Sequence, residues 1–123
     1  MKISVKRDPQ KIVKRAFYLA WQACGGPLGM GFLQNKPDAS EDDVWNNVYR
    51  GGDYTGNNMH GNNPSGKMYG DYVFGRMMKV GFQWDKDSIT VSDSEPRRDY
   101  QAWCRKYPTY ESLILAAVKE LSA

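Results

Sequence analysis

The chain has 123 residues, of which 41% are hydrophobic and 25% charged, and a net charge of +3. That length suits one domain with its own hydrophobic core, so neither a disulfide framework nor a structural metal is needed to hold it together. Two cysteines, one histidine and the absence of a long apolar run speak against a zinc site of the usual ligands, a secretory leader and a membrane span. The reading is of a soluble, cytoplasmic chain with Cys24 and Cys104 as buried or semi-buried thiols in a reducing compartment, a single Cys24–Cys104 bridge being the alternative.

In chain order, Lys2 to Lys6 alternates polar and apolar side chains as a short half-buried strand does. Asp8 offers an N-cap oxygen and Pro9 fits the first helical position. Ile12, Val13, Ala16, Phe17, Ala20, Trp21 and Cys24 then recur at helical spacing. This predicts a core helix over 9–24, with Lys11, Lys14 and Arg15 on its other side. Gly25, Gly26 and Pro27 end it. The stretch from Gly25 to Leu33 is rich in glycine but has no helix start behind it, as a dinucleotide fingerprint would need, so close backbone packing explains it better.

Ser40 and Asp43 form a capping-box-like start, with Glu41 and Asp42 in the first turn, where acidic groups complement the helix dipole. Val44, Trp45 and Val48 give the buried stripe of this second helix, which stops at Gly51. Asp71 caps a third helix with Val73, Phe74, Met77 and Met78 on one face and Gly81 as a Schellman-type C-terminal cap. Phe82 to Trp84 and Ser88 to Ser92 read as two strands joined by a turn at Asp85, Lys86 and Asp87. The strand around Ile3 and Val5 joins that hairpin at an edge.

A fourth helix is expected from Asp93 or Ser94, with Pro96 in its first turn, Tyr100, Trp103, Cys104 and Tyr107 on its buried side, and Pro108 ending it. Thr109 caps a last helix whose apolar positions are Leu113, Ile114, Ala117, Val118 and Leu121. The sum is an α+β single domain over 1–123, dominated by about five helices with a small antiparallel hairpin or three-stranded sheet.

One segment has no hydrophobic period. Residues 51–70 place glycine at 51, 56, 61 and 66 and contain two GNNxx units, at 56–60 and 61–65. Asn and Gly tolerate left-handed backbone, which suits successive turns, and a flexible lid fits equally well. Loops of this length in small domains are functional or disordered. Within it, Tyr54, Asn57, Asn58, His60, Asn62, Asn63, Lys67 and Tyr69 are candidate ligand contacts. Exposed backbone amides cradle anions, Asn side chains pair donors with acceptors, and Tyr rings stack. Arg76 and Lys79 on the following helix add positive charge.

Catalytic patterns are weak. His60, the single histidine, has no nucleophile or carboxylate placed beside it by the sequence, and no pair of carboxylates stands out. Gly61, Gly66 and Lys67 match a phosphate-binding loop, but Met68 stands where Ser or Thr belongs and no strand precedes it. No catalytic residue, metal or cofactor is assigned.

The expected function is therefore a small binding module, a regulator or inhibitor acting on a protein partner through the Gly/Asn/Tyr-rich loop, since those residue types are the adaptable contacts of binding loops. The alternative is a nucleotide or nucleic-acid binder that uses the loop together with the basic N-terminal helix, within a basic stretch over residues 1–19. There Lys2, Lys6, Arg7, Lys11, Lys14 and Arg15 face only Asp8.

Overall fold

A computed structural model describes residues 1–6, 8–23, 40–51, 79–96 and 103–122. Their elements follow in the order β1 (Lys2–Ser4), α1 (Pro9–Ala23), α2 (Glu41–Gly51), β2 (Phe82–Trp84), β3 (Ser88–Val91), α3 (Trp103–Lys106) and α4 (Tyr110–Ser122). Residues 79–81 are helical and run directly into β2. The fold is α+β with helix predominant. Its antiparallel sheet has the order β1-β3-β2, so the first strand does join the hairpin at an edge.

Local chemistry fixes where each element starts. The Gln10 N–H donates to Asp8 Oδ1 at 3.0 Å, an N-cap with Pro9 in the first turn. At α2 the Asp43 N–H donates to Ser40 Oγ at 3.1 Å and the Ser40 N–H donates to Asp43 Oδ2 at 3.0 Å, so Asp completes the capping box in place of Glu. At α4 the Ser112 N–H donates to Thr109 Oγ1 at 3.0 Å and the Thr109 N–H returns a bond to Ser112 Oγ at 3.2 Å. Each exchange satisfies two backbone donors that the helix leaves without intrahelical partners.

The β2–β3 turn is built on Asp85. Its Oδ1 accepts from the Asp87 N–H at 3.1 Å, the Ser88 N–H at 3.0 Å and the Ser88 hydroxyl at 2.8 Å. These bonds, the Ser88 hydroxyl foremost and the Asp87 N–H next, hold the Asp85 carboxyl down at about 2. Ser88 itself is buried, so its hydroxyl needs this partner.

The core is assembled around α1. Ile12, Val13, Ala16, Phe17, Leu19, Ala20 and Trp21 are all buried. Leu19 widens the stripe that helical spacing predicts, because α1 is packed against α4, α2, α3 and β2 and so is covered over more than one face. The same core cluster takes in Val44 of α2, Phe82 of β2, Ile89 and Val91 of β3, Cys104 of α3, and Tyr110, Leu113, Ile114 and Ala117 of α4. Val118 and Leu121 are only partly covered.

Two expectations are corrected. No helix starts at Asp93 or Ser94. There the Ser92 N–H extends the ladder by donating to the Gly81 carbonyl at 2.9 Å, and the Ser94 N–H bonds to Ser92 Oγ at 3.2 Å, local bonds that compete with helix formation. Pro96 is buried outside any helix, and the described helix begins at Trp103. Gly81 ends its helix, but its φ lies outside the left-handed region, so it is not a Schellman cap. Glycine suits the position because a Cβ there would run into the Tyr110 ring, which also packs edge-on against Phe82. The Gly25 to Leu33 stretch, Cys24, Tyr100 and the helix expected from Asp71 through Met78 lie outside the described residues.

Truncating Phe17 to Ala removes a ring that is 1% exposed and is expected to cost about 3–5 kcal/mol in denaturant melts. A loss under about 1 kcal/mol would show that α1 is not the centre of the core. The turn has a signature of its own. A carboxylate with a lower pKa when folded adds stability above its ordinary value of 3.8 and loses it as pH falls through about 2. Side-chain NMR of the folded protein is expected to give an Asp85 midpoint near 2, and a midpoint near 3.8 would mean that the turn bonds are absent.

Candidate functional site

The loop contacts read from the sequence, Tyr54, Asn57, Asn58, His60, Asn62, Asn63, Lys67 and Tyr69, lie outside the described residues, as does Arg76. The described geometry bears on the other half of the reading, the basic N-terminal segment. On α1, Lys14 and Arg15 do not stand out into solvent. Lys14 Nζ pairs with Asp42 Oδ1, Arg15 Nε pairs with Glu41 Oε2, and Arg15 Nη1 reaches Glu120 Oε1 of α4 at 2.5 Å. One guanidinium thus links three helices, as its forked donors allow.

The elements explain this placement. Lys14 and Arg15, expected opposite the apolar stripe, lie instead at the margins of the buried arc, which Leu19 widens, and α2 presents its acidic first turn alongside them. The carboxylates raise the Arg15 pKa above its ordinary value, with the hydrogen bond that Arg15 donates to Glu41 the largest cause. Dipole and capping effects account for acidic residues at the start of α2, and the structure adds a second role for Glu41 and Asp42 as partners of α1. That role was legible in principle, because a basic pair on one core helix and an acidic run on the next are natural neighbours in a helix-rich domain. Glu120 gave no such signal, since only the packing of α4 against α1 brings it near.

The remaining basic side chains of the segment differ. Lys2, Lys6 and Lys11 are exposed and make no ion pair among the described residues. Arg7 lies outside the described residues.

Elsewhere, Cys104 is a buried free thiol beside Tyr110. Burial first, and the neighbouring Cys104 second, push the Tyr110 hydroxyl up to about 12. A thiol so enclosed packs as a small apolar side chain, since reactive cysteines are partly exposed in electropositive surroundings. Among the described residues no group of three His, Cys, Asp or Glu side chains is placed to hold a metal ion, and no helix is long and apolar enough to cross a membrane.

Comparison with models of known protein families, with curated proteins and with solved structures found no match to this chain.

Proposed function

We propose that the chain is a small binding module, a regulator or inhibitor that contacts a protein partner through the Gly/Asn/Tyr-rich segment 51–70. Tyr54, Asn57, Asn58, His60, Asn62, Asn63, Lys67 and Tyr69 are its contact residues, joined by Arg76. The composition of the segment supports this reading: aromatic rings supply contact area at low entropic cost, and Asn, Ser and Gly supply adaptable hydrogen bonds.

The observation that carries the choice of partner is the pairing of Lys14 and Arg15 with Asp42, Glu41 and Glu120. A phosphate ligand on that face of α1 would have to displace carboxylates already in place. The competing reading, a nucleotide or nucleic-acid binder, therefore keeps only Lys2, Lys6 and Lys11 of the described N-terminal cations.

The test replaces Asn58, His60, Asn62 and Lys67 together with Ser and compares this variant with the unaltered chain in capturing proteins from an extract of the source cells. Stability is expected to change by within about 0.5 kcal/mol, the usual range for surface positions, while the captured partner is lost. Retention of the same partner by a folded variant would overturn the proposal. Unfolding of the variant would equally count against it, because the asparagines would then belong to the core.

A further inference from the structure

The outer edge of β1 borders an apolar groove. In the ladder, the Val5 N–H donates to the Asp87 carbonyl at 3.0 Å and the Met1 carbonyl accepts from the Val91 N–H at 2.6 Å, with Ile3 opposite Ile89. Met1, Ile3 and Val5 thus aim their backbone groups at β3. Antiparallel geometry turns those of Lys2 and Ser4 the other way, where the sheet has no further strand among the described residues. Beside this edge lies a groove of about 310 Å³, lined by Ile3 of β1, Val5 and Lys6 just after it, Ile12 of α1, and Leu115, Val118 and Leu121 of α4. Leu115 is 47% exposed, a large aliphatic side chain with little cover.

Edge and groove have the geometry that a bound strand needs. A strand added at the ordinary spacing of about 4.8 Å from β1 would take its main-chain bonds from Lys2 and Ser4. Its alternate side chains would fall on the face where Ile3 and Val5 point, over Leu115, Val118 and Leu121. Its other side chains would lie on the outer face, beside Lys2, while Lys6, at a bend just past β1, borders the groove itself; both lysines are exposed and free of ion pairs among the described residues.

Charge decides the occupant. Two copies of the 2–6 segment brought together antiparallel about Ser4 would bring Lys2 of one copy toward Lys6 of the other at both ends, and like charges so close across a sheet destabilise it. Lysine on an edge strand is a recognised guard against such self-pairing. A strand with carboxylates at those positions meets the opposite situation. We propose that the β1 edge and the β1–α4 groove bind an extended peptide that alternates apolar with acidic side chains, adding it to the sheet as a fourth strand. None of the residues involved belongs to segment 51–70.

The probe is a short capped peptide alternating glutamate and valine, titrated into the full chain and followed by fluorescence anisotropy and by amide NMR. Saturable binding is expected, with the largest amide shifts at Lys2, Ser4 and Lys6. The double variant Lys2→Glu with Lys6→Glu should bind it about tenfold more weakly and should gain affinity for the matching lysine–valine peptide. Leu115→Asp, at an exposed position, should weaken binding with folding intact, and a proline at a bonding position of the peptide should abolish it. The proposal is overturned if the glutamate–valine peptide does not saturate the protein, or if the charge-reversed variant binds it equally well. It is also overturned if sedimentation shows that the chain pairs with a second copy through this edge.

Discussion

Phe17, at the middle of α1, meets the Trp45 ring of α2 edge-on with centroids 5.1 Å apart, and Trp45 leans on Trp84 of β2 at 6.1 Å. This row of rings ties the first helix, the second helix and the hairpin to one another across long separations in sequence. Aromatic pairs of this geometry add about 0.5–1.5 kcal/mol each beyond the area they bury. The other helices are placed by the same requirement: α4 covers a further side of α1 with Leu113, Ile114 and Ala117. Burial of α1 over so wide an arc has an electrostatic consequence. Lys14 and Arg15 are drawn into its margins, where a charge left without a partner would be costly, and Glu41, Asp42 and Glu120 meet them. Partly exposed pairs of this kind contribute little net stability, about 0.2–1 kcal/mol each. Their importance is compatibility, since they let a basic helix lie inside a packed domain.

The same arrangement shapes what the domain offers to ligands. Positive charge on α1 is largely neutralised within the fold, and the described cations of the N-terminal segment that keep no ion pair among the described residues are Lys2, Lys6 and Lys11. Two of these lie at the β1 edge, which carries no further strand among the described residues, beside an apolar groove, a setting that suits a peptide better than a phosphate backbone. Both functional readings put forward here, through segment 51–70 and through the β1 edge, therefore point to polypeptide partners. They rest on separate residues and stand or fall separately.

Much of the fold was legible because local rules and burial agree. Asp8, Ser40 and Thr109 mark helix starts by side-chain chemistry that needs no tertiary context, and the spacing of Ile12, Val13, Ala16 and Phe17 identifies the core helix unaided. Asp85 likewise marks its turn. The failures are instructive for the opposite reason. Asp93 and Ser94 look like helix caps, yet the Ser92 and Ser94 hydroxyls bond to one another and serve an irregular connection after β3. Gly81 looks like a left-handed cap, yet glycine fits there because the Tyr110 ring occupies the space of a side chain, a contact between residues distant in sequence. The candidate site was legible only as composition. Nothing local ties Arg15 to Glu120, or exposes Leu115 beside β1, until α4 is docked on α1.

The central claim is that Lys14 and Arg15 belong to the fold and do not form a phosphate-binding face. It is tested most directly by titrating the protein with a short single-stranded oligonucleotide at about 50 mM and about 200 mM salt, alongside a variant carrying Lys14→Gln and Arg15→Gln. The account predicts that any binding is weak and is the same for both proteins at each salt concentration. Saturable binding that weakens steeply with salt and disappears in the variant, with the variant still folded, would contradict it.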